Sequence, residues 1–204
     1  MSNVVDVFRE GMALGWKVQD ASALTADLTA EADVVIVGTG AGGGVTAEIL
    51  ASAGLSVILV EEGPLRTTRD FELKESRAYP DLYQESAARK TEDKAINILQ
   101  GRSVGGSTTV NWTSSFRTPP ATLGYWQSRF GLGRLTVEAM QPWFELMERR
   151  LGIRPWTTDP NANNQVLARG AAKLGIPYAG IRRNVRGCWN LGYCGMGCIT
   201  GAKQ

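Results

Sequence analysis

The chain has 204 residues, 43% of them hydrophobic and 21% charged, with a formal net charge of +2. That length fits one large domain or two small ones, the composition is that of a globular protein, and so small a net charge does not indicate a nucleic-acid partner. There is no histidine, so any chemistry needing the usual neutral-pH proton acceptor must use another residue or another segment.

In chain order, residues 1–32 are polar and weakly amphipathic and read as a helix or an arm packed on the neighbouring domain. The opening run lacks a basic stretch followed by an apolar core, so no secretory signal is expected. Apolar stretches are strand-sized, so no transmembrane segment is expected either. A cytoplasmic chain is therefore expected, with peripheral membrane association left open.

Residues 33–63 are expected to form a β–α–β unit, with strand 33–38, helix 42–53 and strand 56–61. The first strand runs into Gly38-Thr39-Gly40-Ala41-Gly42-Gly43, a G-x-G-x-x-G turn. Ala47, Gly54 and Glu61 then recur with six residues between each. A strand before the motif, a helix after it and an acid closing the next strand are the context that makes it credible as a dinucleotide site. Gly38 permits the turn, Gly40 lets a pyrophosphate approach the backbone, and Gly43 lets helix and strand pack closely. The helix N-terminus offers N–H groups and partial positive charge to phosphates. Glu61 is placed to accept from both ribose hydroxyls of an adenosine, and its charge disfavours a 2′-phosphate. Glu62 comes next, on the opposite face of the strand end.

Gly63-Pro64 ends that unit. Residues 66–98 are charged, with helical stretches expected around Asp70–Arg77 and Ser86–Lys94. Gly101-Arg102-Ser103-Val104-Gly105-Gly106-Ser107-Thr108-Thr109-Val110-Asn111 is a second glycine-rich loop, whose backbone N–H groups can line an anion site. Ser107, Thr108 and Asn111 add donors and acceptors. A helix is expected over 136–151, with Thr136 as N-cap and Gly152 as stop. Pro142 inside it predicts either a kink or two short helices. Another helix is expected over 163–174, ending at Gly175.

Taken together, Gly38–Gly43, Glu61-Glu62-Gly63-Pro64, Gly101-Arg102 through Gly105-Gly106-Ser107 to Asn111, and Phe116-Arg117-Thr118-Pro119 resemble the glucose–methanol–choline (GMC) oxidoreductase family, from about residue 30 onward. The resemblance implies an incomplete Rossmann-like FAD-binding α/β domain over 33–119. It also implies the start of a second α+β region, helical and then cysteine-containing, over 120–204. FAD is implied in place of NAD, with the ADP half on Gly38, Thr39, Gly40, Ala41, Gly42, Gly43, Glu61 and Glu62. Gly101, Arg102, Gly105, Gly106, Ser107 and Thr108 would pass along the pyrophosphate, and Asn111 would lie near the flavin ring. Some members attach FAD through a histidine just before that asparagine; here the residue is Val110, so FAD is expected to bind non-covalently.

The implied reaction is hydride transfer from an alcohol carbon to flavin, with a small-molecule alcohol as substrate and oxygen or an electron-acceptor protein as oxidant. Members are more than twice as long and keep their substrate-side histidine in the carboxy-terminal half. The chain is therefore expected to be an amino-terminal fragment, with no catalytic residue assigned within it. A catalytically inactive nucleotide-binding domain is the alternative, and an NAD-dependent reductase a third reading that the second glycine loop argues against.

Cys188, Cys194 and Cys198 stand as C-x5-C-x3-C among glycines. Three thiolates gathered by a glycine-rich turn suit an iron–sulfur cluster, and the spacing resembles that of sugar dehydrogenases of the family, which carry a 3Fe-4S cluster. Three thiols with a packing role are the other reading. Trp112, Trp126, Trp143, Trp156 and Trp189 read first as packing residues. Arg182, Arg183 and Arg186 form a small basic cluster that reads first as solvated surface.

Overall fold

A computed structural model describes residues 4–204. The chain divides into two compact units. The first comprises the residues up to Trp112 together with Trp189–Gly201, and the second Thr113–Cys188 with Ala202–Gln204.

In the first unit, α1 (Val7–Ala13) starts where Asp6 accepts from the Arg9 N–H at 3.1 Å. The other Asp6 carboxylate oxygen takes the Thr67 hydroxyl at 2.6 Å, and Asp70 holds the same hydroxyl at 2.9 Å. A helix of seven residues is marginal alone; this N-cap and the tie to Thr67 fix it. Residues 14–32 hold one short 3₁₀ turn, Ala21–Ala23, and are otherwise irregular. The segment expected as a helix or an arm is thus some of each, with residues 1–3 outside the described part.

Strands β1 (Val34–Val37) and β2 (Val57–Val60) pair in parallel, Val34 opposite Val57 and Val37 opposite Val60. Between them runs α2 (Ala41–Ser52). All three agree with the expected spans to within one or two residues. The core of this unit lies elsewhere. Ala78 and Leu82 from α3 (Glu75–Leu82), with Tyr83, Val110 and Met196, form a buried cluster on which Phe71, Tyr79 and Ala87 pack. Tyr79 meets Tyr83 edge-on, centroids 5.5 Å apart.

The helix expected around Ser86–Lys94 is absent. Glu85, Ser86, Ala87 and Lys94 have positive φ, and Lys90 bridges antiparallel to Asn97. The tip is closed by the Asp93 carboxylate, which accepts from the Thr91 hydroxyl and from the Ala95 N–H at 3.1 Å. Side chains that bond nearby backbone favour turns over helix, and here they win. Likewise α3 begins at Glu75, later than the expected helix from Asp70, because Asp70 is spent on Thr67.

The second unit contains α5 (Pro120–Phe130), α6 (Val137–Arg150) and α7 (Ala162–Lys173). Its small sheet has β5 (Arg182–Arg183) between β3 (Ser114–Ser115) and β4 (Arg154–Pro155), both antiparallel. Thr136 caps α6 by accepting from the Ala139 N–H at 3.1 Å, and Gly152 lies beyond its end at φ +60°. Pro142 lies inside α6, which runs through it as one element, so the expectation of two short helices is not met. Asn161 caps α7, and Gly175 lies beyond its end at φ +64°. Among the described residues no helix is long and apolar enough to cross a membrane.

Candidate functional site: two facing glycine loops

The site is built where β1 turns into α2. Gly38 sits at φ +91° and donates its N–H to Val60 O at 2.7 Å, which locks the turn against the end of β2. A Cβ on Gly43 would overlap Gly38 O, so only glycine permits this approach of helix to strand. Gly40 is the N-cap of α2 and has no side-chain cap. The first N–H groups of a helix lack intrahelical acceptors. A Cβ on Gly38, Gly40 or Gly42 would meet nothing within 4 Å, so space lies open over the turn.

Glu61 closes the turn from the other side. One carboxylate oxygen accepts from the Thr39 N–H at 2.8 Å and the Thr39 hydroxyl at 2.7 Å, and the other accepts from the Gly63 N–H at 3.0 Å. Burial pushes the Glu61 carboxyl up, but these hydrogen bonds outweigh it and hold the pKa below the ordinary 4.5. A carboxylate has about four acceptor positions, so it retains capacity for a further donor. Sequence reasoning assigned Glu61 and Thr39 separately to a ligand; their clamp on each other was missed, and no spacing rule announces it.

The second loop lies against the first. The Gly105 N–H donates to Thr39 Oγ1 at 3.1 Å, and a Cβ on Gly106 would come within 3.0 Å of Gly40 Cα. Gly105 and Gly106 have φ +90° and +53°, conformations that L side chains rarely adopt. Gly101 is equally constrained, since its Cβ would run into the Gly106 carbonyl, and its N–H donates to Ser107 Oγ at 3.0 Å. The loop is anchored by Arg102 N–H to Leu82 O (2.7 Å) and Val104 N–H to Pro64 O (3.1 Å). It ends in a single helical turn, α4 (Ser107–Val110), whose cap residue Asn111 donates its N–H to Ser107 O. Thr108 Oγ1 bonds Gly105 O at 2.5 Å.

Glu62 points elsewhere. It accepts from Gln84 Nε2 and pairs with Arg102 Nε at 3.3 Å, strapping β2 to the second loop. Gly38–Gly43, Glu61, Gly105 and Gly106 are therefore brought together, while Glu62 and Arg102 form a partly exposed brace beside them.

The cysteine tail is packed against the first unit's aromatic side chains. Cys188, Cys194 and Cys198 are each half-buried, and among the described residues no group of three cysteine, aspartate or glutamate side chains is arranged to hold a metal ion. Cys194 and Cys198 lie in the first unit and Cys188 in the second. The tail packs: Gly195 and Gly197 lie so close to the rings of Trp112 and Phe71 that neither could carry a Cβ. The Tyr83 hydroxyl donates to Gly195 O at 2.6 Å, and burial pushes its pKa up to about 12, keeping it a donor at neutral pH.

The strand–turn–helix and the loop laid across it define an α/β protein with a β–α–β glycine turn. The family model described as GMC oxidoreductase matches residues 79–204, and the chain belongs to the GMC oxidoreductase family. It is 34% identical over 174 residues to the long-chain-alcohol oxidase FAO4A of Arabidopsis thaliana, covering 85% of this chain and 24% of that one. To an uncharacterized GMC-type oxidoreductase of Mycobacterium tuberculosis (strain ATCC 25618 / H37Rv) it is 32% identical over 216 residues, covering 100% of this chain and 34% of the relative. The chain thus spans between a quarter and about a third of these relatives' length. Among solved structures, pyridoxine 4-oxidase from Mesorbium loti superposes with a TM-score of 0.58 at 21% identity, over 77% of this chain and 37% of that one, a likeness of fold.

Proposed function

We propose that the chain is the FAD-holding part of an oxidoreductase that acts on the CH–OH group of a small-molecule alcohol. The observation that carries this reading is the second glycine loop, bonded to Thr39 and stacked on Gly40, where a chain that holds only the ADP half of a cofactor would need no such partner. The open space over Gly38, Gly40 and Gly42 fits a diphosphate, received by the N–H groups at the start of α2. The remaining acceptor capacity of Glu61 fits a ribose hydroxyl. The backbone of Gly105 and Gly106 would continue the cradle, with Ser107, Thr108 and Asn111 toward the ring. Val110 is buried and carries no nucleophile, in keeping with non-covalent attachment. The bound flavin supplies the hydride acceptor, while the protein supplies binding, orientation and electrostatics.

No residue of the 204 is assigned to taking the alcohol proton. A second reading, a nucleotide-binding domain without turnover, is favoured by the bare sheet: Val37 is 86% exposed and Val60 50%. One experiment separates the two. A polypeptide joining this chain to a segment equivalent to the rest of its relatives, loaded with FAD under anaerobic conditions, is expected to lose its flavin absorbance when alcohol is added. An unchanged spectrum across a panel of primary and secondary alcohols would favour the second reading. Flavin bands in the protein as purified, before FAD is added, would argue against the NAD-dependent reading.

A further inference from the structure

A cleft of about 540 Å³ in the second unit is lined by Arg149, Arg154, Arg182 and Arg186 against Glu145 and Glu148. Its arginines come from three places: the last turn of α6, β4, and the β5 strand with its continuation. The fold therefore assembles a basic cluster from two stretches that lie about thirty residues apart in sequence.

The acids do not neutralise it. Glu148 is already shared, accepting Arg117 at 2.9 and 3.0 Å and Arg182 at 3.2 Å. Glu145 accepts from Gln141 Nε2 at 2.8 Å. Counting Arg117, five guanidinium groups face two carboxylates. Two of the guanidiniums are fixed by neutral acceptors: Arg182 donates to Ile153 O and Arg154 to Val185 O, both at 3.2 Å. A carbonyl orients the fork and leaves its charge intact. Arg186 lies across Gly152 so closely that a Cβ there would be 2.7 Å from Arg186 Nε. Gly152, at φ +60°, thus both ends α6 and leaves room for that guanidinium.

We infer that this cleft is a binding site for a phosphate group. The surplus of positive charge asks for a multiply charged anion, and a phosphate monoester carries close to two negative charges at neutral pH. Arginine forks match its oxygens in bidentate fashion. The group is borne either by a soluble phosphorylated small molecule or by a lipid headgroup, which share this chemistry. None of the lining residues is one assigned to FAD.

The test titrates the full chain with inorganic pyrophosphate at low salt, by calorimetry, with FAD in excess so that the glycine cradle does not compete. Saturable binding is expected. In Arg149→Ala/Arg186→Ala, two side chains exposed on the cleft, affinity should fall about tenfold. Arg129→Ala, an exposed arginine on α5, should leave it within about twofold. Arg149→Lys/Arg186→Lys keeps the charge without the fork and should fall between the two, and circular dichroism checks that each variant folds. Vesicles of phosphatidylcholine with phosphatidic acid form the second arm. Retention that the double alanine variant loses assigns the phosphate to a lipid, and binding in the soluble arm alone assigns it to a small molecule. Absence of saturable binding in both arms, or equal loss in the Arg129 control, overturns the site. The variants change no residue of the glycine loops, so failure of this site leaves the glycine-cradle reading untouched.

Discussion

At the scale of single residues, Glu61 is the pivot of the site. Its position at the end of the second strand was legible from spacing, because the acid of a dinucleotide fingerprint falls there. Its bonds to Thr39 and Gly63 were not, because they depend on how the glycine turn folds back over the strand end. Removing a carboxylate that satisfies three donors should cost about 2 kcal/mol, so Glu61→Ala is expected to lower stability by that order in chemical denaturation. The pH dependence comes from the same bonds. The folded-state pKa lies below the ordinary 4.5, so this contribution is full above the unfolded value and is lost as pH falls through the folded one. The gap between wild type and Glu61→Ala should therefore be widest near neutral pH and shrink below about pH 4.5. A gap that widens on acidification would contradict the assignment.

At the scale of elements, β1, α2 and β2 were readable almost to the residue, because apolar runs, a glycine turn and Gly54 at φ +92° all mark the same boundaries. Helix α5 was missed, although Pro120 at its first turn and Gly131 in the left-handed conformation after it are the usual asymmetric signals. Residues 86–94 were misread because their charge suits a helix surface, while Thr91 and Asp93 spend their side chains on a turn. The cysteine spacing was legible, whereas the close packing of its glycines on Trp112 and Phe71 was not, because it depends on which rings the fold brings to the tail. At Gly43, α2 lies closely on the turn that follows β1. Gly43→Ala places a methyl group against Gly38 O and should destabilise the chain by about 2 kcal/mol, read as a fall in denaturation midpoint. A midpoint equal to wild type would mean that helix and strand are not held this closely.

At the scale of the whole molecule, the two units differ in how much the sequence disclosed. The first carries the motifs, and its site could be anticipated as a set of residues, though not as a pair of loops bonded to one another. The second carries caps, helices and the short Phe116–Pro119 segment, and its arginine cleft emerges only when α6, β4 and β5 are brought together. The chain spans 24% of the Arabidopsis relative and 34% of the mycobacterial one, and its apolar sheet side chains, such as Val35 at 56% exposure, stand uncovered.

The central claim, that the facing glycine loops hold FAD, is tested most directly by titrating the chain with FAD and following flavin fluorescence in wild type and Gly40→Ala. A Cβ at Gly40 meets no protein atom within 4 Å, so the variant should fold as wild type does while its methyl group occupies the space assigned to the diphosphate. Saturable binding that weakens about tenfold or more in the variant, at unchanged thermal stability, is the predicted result. Equal affinity in the two proteins, or no saturable binding by folded wild type, would contradict it.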